Sequence, residues 1–316
     1  MFAVRKLRAG NLRRALLGGV MTDRMKILLA YDGSTCADAA LDDLVCAGLP
    51  KEAECEVIAV IENWLPPPSG LEIVTNIDRD QEYLALAASA AQRVRDLQPD
   101  WTVKAKVSAG SPASIIIEEA DHWRPDLVVV GAHGRSALGR AFFGSVSQKV
   151  LHEANCSVRI AREPATDSNR PVRLLIGFDG SAGAKEVVRA ITARHWPRGC
   201  EARVVYAAWP SLDSVMQPLI GKIADWIAEE ELRNKKNVDG VVGDLGAAGI
   251  PATSVIKAEE PKRLLLSEAE SWQADCIFVG ARGLGTLARL RLGSVSSAVA
   301  ARAHCSVEVV HAPKLR

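Results

Sequence analysis

Two glycine-rich stretches hold the residues most able to do chemistry. The first reads Gly131-x-x-Gly134, nine residues, then Gly144-Ser145; the second reads Gly280-x-x-Gly283, nine residues, then Gly293-Ser294. Glycine brings the backbone close to a ligand with no Cβ in the way, so successive amides can point at phosphate oxygens. A Gly-Ser step ahead of a helix adds first-turn amides and the positive end of the helix dipole. Each stretch therefore reads as an anion cradle, and the hydroxyls of Ser145, Ser147, Ser294 and Ser296 are each expected to donate one further bond to phosphate. Neither stretch is the G-x-x-x-x-G-K-[ST] phosphate loop or the G-x-G-x-x-G dinucleotide turn after a first strand. One such loop would say little, but two with the same spacing have no packing explanation.

A second signature also occurs twice. Asp32-Gly33-Ser34 closes one short apolar run and Asp179-Gly180-Ser181 closes another. Asp before Gly-Ser suits a turn and a helix N-cap, a role compatible with ligand contact. His133 reads as a loop hydrogen-bonder rather than a general base, because no carboxylate or nucleophile is placed by sequence to complete a triad. Arg135, Arg140, Arg289 and Arg291 lie inside the loops, where they either pair with phosphate or face water.

These signatures belong to a larger repeat. KILLAYDGS (26–34) recurs as RLLIGFDGS (173–181) at an offset of 147, and GAHGRSALGRAFFGSVS (131–147) recurs as GARGLGTLARLRLGSVS (280–296) at 149. Asn155-Cys-Ser-Val answers His304-Cys-Ser-Val, again at 149. Three anchors in one order mean duplication of a whole domain. The expected domains are 25–163 and 172–312, with Glu163 to Pro171 as linker.

Within the first copy, strands are expected at 26–31, 56–61, 103–108, 127–130 and 157–161, and helices at 35–48, 78–97, 112–122 and 145–153. The 112–122 helix opens with Ser111 before Pro112, an N-cap and first-turn proline. The second copy repeats the plan, with strands near 173–178, 202–207, 252–257, 275–279 and 306–310 and a long helix around 221–244. Strands alternating with helices imply right-handed crossovers and a doubly wound parallel sheet in each copy, α/β and Rossmann-like. Ligands of such sheets sit at the carboxyl ends of the strands, where both Asp-Gly-Ser turns and both glycine loops fall.

Composition agrees with two soluble domains. The chain has 316 residues, 48% hydrophobic and 24% charged, which excludes a disordered or fibrous protein. Residues 1–24 carry a net charge of +5 and the remainder about −4, which argues against a broad nucleic-acid-binding surface. No run approaches the roughly 18 apolar residues of a membrane span. Segment 1–24 reads as a disordered tail, or as an upstream start with initiation at Met21 or Met25, ahead of a secretory or transit peptide. Seven cysteines, odd in number and widely spaced, suggest neither a disulfide framework nor zinc, and a reducing, cytoplasmic home is the simplest.

With these residues in view, the chain resembles the universal stress protein family in its tandem form, over about 25–163 and 172–312. The resemblance rests on the Asp-Gly-Ser turns, the G-x2-G-x9-G-S loops, and Gly110-Ser-Pro-Ala-Ser-Ile ahead of Asp126-Leu-Val-Val-Val-Gly-Ala-His-Gly-Arg. It implies ATP as ligand, alone or with Mg²⁺, the loop holding triphosphate and ribose. It assigns the first-strand aspartate to adenosine and the residue ending strand two to adenine. By position these are Asp32, Val60, Gly131, Gly134, Gly144 and Ser145, then Asp179, Gly280, Gly283, Gly293 and Ser294. The second adenine contact falls near Tyr206 or Ala207. Arg282-Gly283-Leu284 departs from the family wording His133-Gly134-Arg135, Glu259 replaces Gly110, and both copies read Cys-Ser-Val where Cys-Pro-Val is common.

Three roles follow. One is a non-catalytic, ATP-dependent sensor or regulator in the stress response. Another is a slow ATPase or self-phosphorylating protein with Ser145 or Ser294 as acceptor, although no acidic pair for Mg²⁺ is apparent. The third is a structural pairing module with empty sites. The last strand of each copy is apolar and at an expected sheet edge, so the two should pair within the chain about a pseudo-twofold axis, as the family implies. Further homodimerisation stays open, and neither nucleic acid nor membrane is expected as a partner.

Overall fold

The structure, a computed structural model, describes residues 24–62, 72–134, 143–163, 170–208, 220–283 and 292–312; the side chains of 72–78 and 220–228 are not among those described. In order come β1 (Met25–Ala30), α1 (Thr35–Asp43), β2 (Ala53–Ile61), α2 (Glu72–Leu97), β3 (Thr102–Ala109), α3 (Pro112–Trp123), β4 (Leu127–Gly131), α4 (Ser145–Glu153) and β5 (Ser157–Ala161). The second half follows with β6 (Arg173–Gly177), α5 (Ala182–Thr192), β7 (Glu201–Ala207), α6 (Ile220–Ala247), β8 (Ala252–Lys257), α7 (Pro261–Ser271), β9 (Cys276–Gly280), α8 (Ser294–Arg302) and β10 (Ser306–Val310).

All ten strands form one sheet, ordered β3-β2-β1-β4-β5-β10-β9-β6-β7-β8. Each half is parallel, and among the described residues β5 and β10 form the antiparallel pair, where Val158, Arg159 and Ile160 face Val309, Glu308 and Val307. The anticipated pairing of the last strands thus occurs within the chain. It removes two edges that would otherwise be open for association.

The core follows from strands covered on both faces. In β4, Val128 and Val130 join a cluster with Val150 and Leu151 of α4, and with Val299 and Ala300 of α8, that crosses the β5–β10 seam. Leu127 and Val129 face the other way, onto α1 and α2 through Leu41 and Val94. In the second half, α5 and α6 cover the corresponding face through Val187, Val238 and Leu245. At about 25 cal/mol per Å² of apolar surface, these fully buried aliphatic side chains dominate the stability.

Several boundaries differ from the sequence reading, β2 starting at Ala53 rather than 56 and two helices differing more. The helix expected over 35–48 stops at Asp43, continues as a 3-10 turn over Leu44–Cys46, and is broken at Gly48, whose φ is +63°. A Cβ there would lie 2.6 Å from the Trp196 ring of the other half, so both the φ and that contact hold the position to glycine. The second helix begins at Glu72, ahead of the expected 78. The N-terminal segment 1–23, the triple proline and most of the linker lie outside the described residues.

Candidate functional site at the strand ends

In the first half, β1 is prolonged by one bond, from the Tyr31 amide to the Ile58 carbonyl at 2.9 Å, before the chain turns. The turn is closed by Asp32, whose Oδ1 accepts from the Ser34 amide at 3.0 Å, with Gly33 at φ +74° supplying the left-handed residue. Ser34, rather than Asp32, is the N-cap of α1, its Oγ accepting from the Ala37 amide at 3.2 Å. The second half repeats this: Asp179 Oδ1 accepts from the Ser181 amide at 2.9 Å, and Ser181 caps α5 through the Ala184 amide. The aspartates are therefore turn-formers but not caps.

The glycine loops meet these turns. A Cβ on Gly131 would lie 2.8 Å from the Cys36 carbonyl oxygen and 2.9 Å from its carbon, so only glycine lets the first turn of α1 lie against the end of β4. A Cβ on Gly134 would lie 2.9 Å from Asp32 Oδ2, and one on Gly283 2.5 Å from Asp179 Oδ2. In both halves the second glycine of the loop thus faces the turn aspartate. Ser145 and Ser294 open α4 and α8 with exposed side chains, next to first-turn amides that have no intrahelical partner.

Part of the expected cradle is committed elsewhere. The Gly144 amide donates to the Ala132 carbonyl at 2.9 Å and the Gly293 amide to Ala281 at 2.7 Å. Ser147 Oγ donates to the Gly131 carbonyl at 2.6 Å, and Ser296 Oγ to Gly280 at the same distance. Both serines are buried. Their hydroxyl protons are spent stitching helix to strand, so the expected donation from Ser147 and Ser296 to phosphate is replaced by a structural role. The helix first turns keep amides to meet an anion. Arg135, Arg140, Arg289, Arg291 and Leu284 lie outside the described residues.

The registers settle the loose alignment at strand two. Tyr31 bonds Ile58 as Phe178 bonds Val205, at 3.0 Å in the latter case, so Val60 corresponds to Ala207, and Tyr206 points to the opposite face. Val60 and Ala207 are both half-buried against the same apolar cluster. Val60 stands beside Ser108 on β3, whereas Ala207 stands beside Lys257 on β8. Lys257 is paired with Glu268 at 2.5 Å.

Two residues near the sites, Cys36 and Arg162, were not singled out from sequence. Cys36 Sγ lies 3.9 Å from His133 Nδ1, while the second half has Gly183 at that position, in contact with the Arg282 carbonyl. Burial, followed by the charge of Arg162, holds the His133 pKa below its ordinary value of 6.5, and its buried Nε2 has no hydrogen-bond partner among the described residues. Arg162 donates to the Ala300 carbonyl at 2.6 Å and the Cys305 carbonyl at 3.1 Å, tying the end of β5 to the second half. The available signal was a basic residue after the last strand in both copies, Arg162 and His311, at the 149-residue offset. Arg282 is exposed.

This twofold pattern of turn, loop and seam matches a known family. The model of the "Universal stress protein family" fits residues 24–162 and again 172–311. The chain belongs to that family. A universal stress protein of Mycolicibacterium smegmatis is 29% identical over 298 residues, covering 90% of this chain and 96% of the relative. One of Mycobacterium tuberculosis is 26% identical over 281 residues, covering 86% and 92%. Among solved structures, a universal stress protein from Archaeoglobus fulgidus superposes with a TM-score of 0.62 at 24% identity, covering 90% of this chain and 98% of that one, which supports the fold. As a member, the chain has two tandem domains of the family's α/β type. No described helix is long and apolar enough to cross a membrane.

Proposed function

We propose that this universal stress protein is a non-catalytic, adenine-nucleotide-binding regulator of the stress response, with ATP as ligand and Mg²⁺ accompanying its phosphates. The observation that carries the reading is the convergence, in both halves, of a turn aspartate on a glycine whose missing Cβ keeps the space beside Oδ2 open. Asp32 would hold the adenosine and Val60 the adenine edge. The amides of Gly134 and the first turn of α4, with the exposed Ser145 hydroxyl, would meet the phosphates. Asp179, Ala207, Gly283 and Ser294 are the second set. Gly131, Gly144, Gly280 and Gly293 serve by letting the loop close rather than by touching ligand.

A non-catalytic role is favoured because phosphoryl transfer wants metal ligands and a positioned nucleophile. Among the described residues no three His, Cys, Asp or Glu side chains gather to hold a metal. Seven free thiols, four of them buried, fit a reducing cytoplasm.

Thermal denaturation of the full chain against ATP, AMP and cyclic AMP tests the reading. A ligand at 100 times its Kd adds about 2.7 kcal/mol to the folded state, a readily measured rise in Tm. Absence of any shift at millimolar nucleotide would overturn it. Phosphate release above that of a Gly144→Asp control would move the assignment to an enzyme.

A further inference from the structure

On the apolar face of the β5–β10 seam the two halves share valines and isoleucines; on the other face they meet through ions. Arg159 and Glu308, 1% and 0% exposed, are cross-strand partners at the centre of the ladder. They are also equivalent residues of the repeat, at the 149-residue offset. Arg159 holds Asp43 through Nε at 2.5 Å and Nη2 at 3.0 Å, and reaches across the seam to Glu308 at 3.1 Å. Glu308 in turn accepts from Arg194, including one bond at 2.9 Å, and Arg194 donates to the Ala47 carbonyl at 3.2 Å. Burial opposes the charge on Glu308, yet Arg194 and Arg159 keep its pKa below the ordinary carboxylate value.

The flanking residues break the repeat in the same way. Asp43 corresponds to Ala190 at the 147-residue offset, and Arg194 corresponds to Ala47. Each half therefore brings its own neutral pair, Arg159 with Asp43 and Glu308 with Arg194. What the seam decides is whether the two groups facing each other across the axis are opposite or alike. A pairing of β5 with the β5 of a second copy would set Arg159 against Arg159 with no water to screen it, and β10 with β10 would set Glu308 against Glu308. Like charges directly opposite in a ladder are destabilising, and more so where the dielectric is low.

We infer that Asp43, Arg159, Glu308 and Arg194 form a pairing code: the β5 edge accepts a β10 edge and rejects a second β5 edge. Any association of chains through these strands is then an exchange of unlike halves. Apolar strand residues alone would not discriminate, because Val158 and Ile160 have equivalents of the same character in Val307 and Val309. The code is specificity through unlike facing charges, not added strength.

The test uses full-length chains. One variant, Ala190→Asp, Arg194→Ala and Glu308→Arg, gives both edges the arginine pattern. A second, Asp43→Ala, Ala47→Arg and Arg159→Glu, gives both the glutamate pattern. A third carries all six substitutions and reverses the code within one chain. Each half-set alone is expected to lower Tm and lose the closed single-chain form in native mass spectrometry. Co-expression of the two half-sets is expected to yield a one-to-one heterodimer, and the six-fold variant to melt near wild type as a closed chain. The inference is overturned if each half-set behaves as wild type, if co-expression gives no heterodimer, or if the reversed chain fails to fold.

Discussion

Gly131 and Gly134 are three residues apart in one loop, yet alanine at each should fail differently. At Gly131 the added Cβ would sit 2.8 Å from the Cys36 carbonyl oxygen and 2.9 Å from its carbon, both backbone atoms of the first turn of α1. Neither can swing aside, so β4 and α1 must separate by several tenths of an ångström; overpacking of this kind costs about 1–3 kcal/mol. At Gly134 the Cβ would meet Asp32 Oδ2 at 2.9 Å, the tip of a side chain that can rotate. The structural cost there is at most about 1 kcal/mol, the worth of one hydrogen bond in a turn. The ligand effect is reversed in rank, since the displaced carboxylate and the methyl both enter the space reserved for the nucleoside. Urea denaturation and ATP titration of Gly131→Ala and Gly134→Ala separate the two. The expected pattern is a clear loss of stability for the first, and near wild-type stability with at least ten-fold weaker ATP binding at the first site for the second. A Gly134→Ala protein that binds ATP like wild type, or a Gly131→Ala protein of unchanged stability, refutes the reasoning.

Ser147→Ala removes the proton donor to the buried Gly131 carbonyl and should cost about 1–3 kcal/mol in a denaturant melt, with Ser145→Ala, at an exposed position, costing far less. Arg159→Leu alone leaves Asp43 and part of Glu308 buried without their cation, and a loss of about 3–5 kcal/mol is expected from the same assay. Because His133 titrates below 6.5 in the folded chain, the unfolded chain binds more protons as pH falls. Stability should therefore drop from pH 7.5 to 5.5, and His133→Gln should flatten that slope. Burial and then Glu119 raise the pKa of Glu56, so its contribution is lost as pH rises through the folded value. Glu56→Gln is expected to raise Tm at pH 7.5 more than at pH 4.5.

The parts of the fold legible in sequence were those written as repetition or period. The Asp-Gly-Ser turns, the loop spacing and the alternation of apolar runs with amphipathic stretches placed every strand, because these depend on local backbone geometry and on coverage of both sheet faces; the seam was implied by apolar edge strands and the resemblance to the family. The fates of individual polar groups were not legible. Whether Ser147 donates to a phosphate or to the Gly131 carbonyl depends on how the first turn of α4 folds back over β4, a three-dimensional matter. Ser34 and Asp32 are both good caps by type, and only the turn decides that Ser34 takes the helix while Asp32 takes the Ser34 amide. The ionic seam left one trace, opposite charges at equivalent places in SVRIA and SVEVV, which acquires meaning only once β5 and β10 are neighbours.

Isothermal titration of the full chain with ATP, repeated on the Gly134→Ala, Gly283→Ala double variant, measures the central claim directly. Saturable heat in the wild type that disappears in a double variant with a wild-type unfolding curve is the expected result. No saturable heat in the wild type at millimolar ATP, or equal heats in both proteins, contradicts it.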